Sequence, residues 1–272
     1  MTRRGRQDSA PSGSGLPGAL VPLAVVGVLF LVLPVLGLLV RTPWRTLADE
    51  LSSTESLTAL RLSLECASLA TVVCVLLGVP LAWLLARGRF RGRGLLRALV
   101  IVPLVLPPVV GGVALFTAFG RRGIVGSYIY EAFGIALPFT TSAVVVAESF
   151  VAMPFLVIAV EGALRGADAR LDEAAATLGA SRWYTFRRVT LPLVAPGLAA
   201  GAVLCWARAL GEFGATITFA GNFPGTTRTM PVEVYLALQQ DPRAAIALSL
   251  LLLLVSVAVL AGLRERWLTT PG

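Results

Sequence analysis

Six long apolar stretches divide the chain, at 19–40, about 62–86, 95–119, 139–160, about 193–220 and 244–263. An α-helix needs roughly 20 apolar residues to cross about 30 Å of hydrocarbon, and each stretch reaches that length. The pattern predicts an all-α integral membrane protein of about six transmembrane helices. Six crossings return the chain to the side on which it began. The segments between them reach about thirty residues at most. Chains that short bury too little surface to fold as separate soluble domains.

One transmembrane domain over 19–272 is therefore expected, with its first stretch retained. Ala19 to Val40 exceeds the core of a signal peptide and runs into Arg41-Thr42-Pro43 without a small-residue cleavage site. Residues 1–18 are polar, rich in Ser, Gly and Pro, and carry Arg3, Arg4 and Arg6. They are expected to form a disordered cytoplasmic tail.

Composition sharpens the picture by exclusion. The chain is 56% hydrophobic and 14% charged, against about 45–50% and about 25% in soluble domains. All 23 basic residues are Arg, and Lys and His are absent. A P-loop requires a Lys behind its glycines, a Schiff base requires Lys, and His is the commonest metal ligand and general base. No catalytic residue, metal or cofactor is expected on this chain. Cys66, Cys74 and Cys205 lie in apolar stretches without CxxC spacing and read as small buried hydrophobes.

The net charge of +8 is distributed as membrane orientation demands, not as a nucleic-acid footprint, so no nucleic-acid partner is expected. Fifteen Arg fall in 1–18, 87–97, 165–188 and 264–266. Six fall in the alternate segments, at Arg41, Arg45, Arg121, Arg122, Arg228 and Arg243. Positive residues mark the cytoplasmic side, so both termini are predicted there.

Two spans carry more than apolar residues. The third holds Pro103, Pro107 and Pro108 followed by Gly111 and Gly112, and the fourth holds Pro154. Both should kink and rely on neighbouring helices to satisfy the freed backbone groups. The fifth holds Arg208 and Glu212, four apart and on one helical face. A charge at that depth costs at least about 2.5–3.5 kcal/mol on insertion scales and is normally turned inward and partnered. One reading makes Arg208 the positive element of an anion path, held by Glu212. Gly211, Gly214, Thr216, Thr218 and Asn222 would then keep that path narrow and polar. The other makes Arg208 and Glu212 an internal strut, or a pair with Glu148 of the fourth span.

The connection from Glu161 to about Leu191 is predicted as the longest cytoplasmic loop and is itself patterned for helices. Asp168 can cap a helix over 169–178, with Asp172 and Glu173 in its first turns, and Gly179 can end it. Ser181 can cap a second helix that leads into the membrane at Leu191-Pro192. Ala174, Ala175 and Ala176 make the first helix narrow enough for another protein to approach, with Glu173 as a fixed charge. An amphipathic helix resting on lipid headgroups is the alternative.

The spacing Glu173-Ala174-Ala175, three residues, Gly179, nine residues, Val189-Thr190-Leu191-Pro192 resembles the EAA loop of binding-protein-dependent ABC importer permeases. Val189 stands where that pattern has Ile. The resemblance implies that the loop between spans 4 and 5 is a coupling helix seated in a cleft of a separate ATPase subunit. Glu173, Ala174, Ala175, Gly179, Leu191 and Pro192 would be its ATPase-coupling residues. It also implies ATP and Mg on that partner, two ATPase copies on a permease homodimer, alternating access, and a bacterial or archaeal inner membrane with lipid around the helices.

Gly211-Glu212-Phe213-Gly214-Ala215-Thr216, Ala220-Gly221-Asn222, Pro224-Gly225 and Thr229-x-Pro231 are similar to the molybdate permease branch. Sulfate and thiosulfate permeases, which share the Gly-Glu core, are the next alternative. The resemblance covers about 57–263. It implies an extracytoplasmic oxyanion-binding protein docking on 41–56, 120–138 and 221–243, where Arg45, Arg121, Arg122 and Arg228 could meet acidic residues. Tungstate is close to molybdate in size and charge. Against these stand a secondary anion transporter, which the loop disfavours, and an intramembrane enzyme, for which no nucleophile or metal pattern exists.

Overall fold

A computed structural model describes residues 20–268; the expected tail over 1–18 lies outside them. The chain divides into two units, Met1–Thr42 and Pro43–Gly272. The first contributes α1 (Leu20–Arg41), apolar up to its last residue, whose end is closed by the Thr42 hydroxyl donating to the Leu38 carbonyl at 2.8 Å.

The second unit begins with α2 (Leu47–Leu51) and the long α3 (Thr54–Arg87). Ser53 caps α3 by accepting from Ser56 N–H at 3.2 Å. There follow α4 (Arg93–Val105), α5 (Pro108–Phe119), α6 (Gly126–Phe133) and α7 (Thr141–Gly166). Next come α8 (Ala169–Thr177), α9 (Arg182–Thr185), a π-helical turn over Phe186–Thr190, and α10 (Leu191–Leu210). α11 (Gly214–Phe219), α12 (Met230–Gln240) and α13 (Pro242–Leu268) complete the order. Among the described residues there is no strand.

The core of this unit is where α3, α7 and α10 meet, and it is built from small residues. Ala67, Ala70 and Cys74 of α3 face Ala152, Leu156 and Val157 of α7 and Cys205 and Ala209 of α10. In hydrocarbon, helices gain little from excluding apolar side chains from one another, so close van der Waals approach must hold them. A Cβ on Gly78 would lie 3.1 Å from Leu156 and 3.3 Å from Val157, the spacing such an approach needs. The Cys74 thiol donates to the Ser149 carbonyl at 3.4 Å across α3 and α7.

Among the described residues five helices are long and apolar enough to cross a membrane, and a sixth crossing is made if α4 and α5 count together. These two are bent by 119° at Leu106-Pro107. They nevertheless run from one end of α7 to the other. Arg97 of α4 pairs with Glu161 near the end of α7. Phe116 of α5 meets Phe139, just before α7 begins, at 6.2 Å between ring centroids. The pair is thus one broken crossing, as its prolines predict.

Other expectations are corrected. The fifth stretch is not one continuous helix over 193–220, because α10 ends at Leu210 and α11 restarts at Gly214. α7 runs unbroken through Pro154 and on to Gly166, so Glu161 is helical and not the start of the loop. α3 begins eight residues before position 62. The segments expected as plain outward loops contain α2, α6 and α12.

Candidate functional site

Two places gather the residues singled out above. The first is the loop after α7. The Asp168 carboxylate accepts from Arg170 N–H at 2.9 Å and starts α8. Gly179 ends it at φ 80°, in the left-handed region that a side chain adopts only with strain. The Ser181 hydroxyl accepts from Tyr184 N–H at 3.2 Å and starts α9. The chain then passes through the π turn into α10, where Leu191 and Pro192 are the first two residues.

Glu173, Ala174 and Gly179 are exposed and Ala175 is half-buried. Leu178 (87% exposed) and Trp183 (68% exposed) flank them, an apolar surface of the kind that marks interaction sites. Leu191 and Pro192 belong to the helix below the loop, half-buried and exposed respectively. Behind α8 and α9 lies a cavity of about 690 Å³ lined by Val79, Pro80 and Trp83 of α3 together with Asp172, Phe186 and Thr190. Trp83 meets Phe186 edge-on at 5.1 Å, and Trp183 stacks on Phe186 at 5.6 Å.

Sequence reasoning assigned Asp172 only to the helix dipole. Its Oδ1 accepts from the Thr190 hydroxyl at 2.8 Å, and its Oδ2 lies 3.7 Å from Arg87 Nη2. Glu161 accepts from both Arg97 and Arg165, the latter through Nε at 3.1 Å. The Glu161/Arg165 spacing was a visible signal; the Arg97 partner, 64 residues away, was not.

The second place is where two broken helices meet in the middle of the bundle. α11 lies against α5 so closely that a Cβ on Gly214 would fall 2.5 Å from Pro108 Cβ, and one on Gly112 would overlap the Thr218 hydroxyl. Arg208, in the last turn of α10, reaches Glu212 in the break, with Nη2 2.6 Å from Oε2. The other carboxylate oxygen accepts from Ala215 N–H at 2.9 Å, so Glu212 also holds the first turn of α11.

Glu212 is 1% exposed, and Arg208 shares a cavity of about 190 Å³ with Pro103, Leu106, Pro108, Gly111 and Phe155. Gly211 is exposed at the end of α10, Gly214 is buried in the α5–α11 contact, and Thr216 is buried within the protein. Asn222 stands apart on the segment between α11 and α12, exposed, its carbonyl accepting from Arg228 Nε at 3.2 Å. Glu148 is also buried, and its Oε2 has no hydrogen-bond partner among the described residues.

Broken, charged helices in the interior and an exposed helical knob mark a multi-pass membrane protein. Residues 78–270 match the binding-protein-dependent transport system inner membrane component family, and the chain belongs to it. It is thereby a transport subunit and not an enzyme, since in such systems ATP hydrolysis resides on another subunit.

The chain is 51% identical over 243 residues to the molybdenum transport system permease protein ModB of Mycobacterium bovis, covering 89% of this chain and 92% of that one. It is 44% identical over 210 residues to the ModB of Escherichia coli K12, covering 77% and 92%. The resemblance to molybdate permeases is borne out by these relatives. In fold it is similar to the bacterial alginate ABC transporter crystallised with an alginate-loaded periplasmic protein (TM-score 0.72, 18% identity, 93% and 94% covered). It is also similar to the inward-facing MetNI methionine ABC transporter (TM-score 0.61, 19% identity, 79% and 95% covered).

Proposed function

We propose that this chain is the permease of an ATP-driven importer for molybdate. The observation that carries the cargo is the likeness to permeases named for molybdenum transport over nearly their whole length. An extracytoplasmic binding protein would deliver the oxyanion to the outward segments. Two copies of the chain would carry two ATPase subunits, which bind ATP and Mg, and closure of those subunits would favour one of two arrangements of the helices. Both termini lie in the cytoplasm on this reading, with residues 1–18 as a tail ahead of the permease domain.

Glu173, Ala174, Ala175 and Gly179 form the surface offered to the ATPase, and Leu191 and Pro192 begin the helix that receives its movement. Arg208 is the cation of the anion path, Glu212 its counter-charge, and Gly211, Gly214, Thr216 and Asn222 border the same route. The cavity beside Arg208 has the volume of roughly six waters, enough for an anion of four oxygens. Uptake of labelled molybdate by the reconstituted complex, with tungstate and sulfate as competitors, tests the cargo. Tungstate should compete at concentrations near those of molybdate. Equal competition by sulfate would reassign the cargo to a sulfate-type anion.

A further inference from the structure

We infer that Asp172 is the joint through which movement of the α8–α9 loop reaches the membrane helices, with Arg87 and Thr190 as its anchors. This rests on the reading of the loop as the ATPase contact. It adds positioning residues that face the helices instead of the partner.

Successive residues on a helix are turned by about 100°. Glu173 is therefore exposed while Asp172, one residue earlier, turns toward the membrane domain with its side chain 28% exposed. One carboxylate oxygen takes the Thr190 hydroxyl at 2.8 Å and the other faces Arg87 Nη2 at 3.7 Å. The same Arg87 nitrogen donates to the Ala167 carbonyl at 3.4 Å. Arg87 is the last residue of α3, Ala167 closes α7, and Thr190 is the last residue before α10. A single side chain on α8 is thus tied to the ends of the three helices that form the core.

Thr190 itself is 1% exposed and sits at the end of the π turn. An added residue in a helix rotates the residues after it by about 100°, so the turn sets the direction in which Thr190 points. Along α3, by contrast, α8 faces Val79 and Pro80 across the cavity of about 690 Å³, while α9 meets α3 through Trp183 stacked on Phe186 and Phe186 set against Trp83. Close-packed side chains transmit displacement and open space does not. The polar node is the stiff link between α8 and the helix ends, beside the aromatic contact of α9.

The test uses the intact complex, with its ATPase subunits and binding protein, in liposomes, and reads molybdate transported per ATP hydrolysed. Asp172→Asn keeps an oxygen for Thr190 but removes the charge that faces Arg87. Thr190→Val removes the hydrogen bond and keeps the shape. Each should lower the ratio about fivefold or more, the lower range of energetic coupling between sites, while the ATPase still co-purifies. The exchange Arg87→Asp with Asp172→Arg should transport better than Asp172→Arg alone. If Asp172→Asn loses the ATPase, Thr190→Val decides. An unchanged ratio in these variants, with Glu173→Ala uncoupled, overturns the inference and leaves the loop reading standing. An unchanged ratio in Glu173→Ala as well would remove both.

Discussion

Arg208 and Glu212 are joined across a helix end: the guanidinium belongs to α10, and the carboxylate it meets at 2.6 Å also holds the first turn of α11. The pair therefore braces the break as well as balancing its own charges. Removing one partner of a buried pair leaves the other uncompensated, so Glu212→Ala should destabilise the protein by about 3 kcal/mol. Arg208→Gln should also cost about 3 kcal/mol, because it leaves the more deeply buried Glu212 carboxylate with only the Ala215 N–H as partner. The double change Arg208→Gln with Glu212→Gln should recover stability in thermal unfolding but not molybdate uptake. Recovery of both would reduce the pair to a brace.

The contact between α5 and α11 depends on the absence of side chains. Gly214→Ala places a methyl 2.5 Å from Pro108 Cβ and 3.3 Å from the Val109 nitrogen, and neither belongs to a flexible side chain. Overpacking of this kind costs about 1–3 kcal/mol. A lower unfolding temperature of the purified protein is the expected result.

Gly179 offers a test confined to the loop. A Cβ there meets nothing within 4 Å, so the change to Ala acts only through the φ of 80°. Left-handed backbone costs a residue with a side chain about 1–2 kcal/mol. ATPase retention on an affinity column should fall while unfolding of the membrane domain changes little.

How much of the molecule is legible in its sequence differs between local and distant features. The caps at Asp168 and Ser181 and the turn at Gly179 are set by neighbours in sequence, and the structure has them where spacing put them. The break at Leu106-Pro107 was legible because Pro107 and Pro108 each lack a donor. The break after Leu210 was not. Gly211-Glu212-Phe213 lacks proline, and what opens the helix there is a carboxylate claimed by Arg208 on one side and Ala215 on the other. Thr190 looked like a spacer within the motif, since its partner Asp172 lies 18 residues away and is reached only through the π turn.

Glu161 with Arg97 and Arg165 gives a further prediction. Both arginines remain partly exposed, which weakens the ion pairs by solvent screening, so Glu161→Ala should cost about 1–2 kcal/mol and less at high salt. Unfolding at two ionic strengths measures it.

Dependence on an attached ATPase is what separates the proposed importer from a secondary transporter of the same anion. Its most direct test is molybdate accumulation in liposomes holding the purified complex and binding protein, with ATP or a non-hydrolysable analogue supplied on the ATPase side. Accumulation is expected with ATP and not with the analogue, unaffected by collapsing ion gradients. Accumulation that persists without ATP and disappears with the gradients would contradict that dependence.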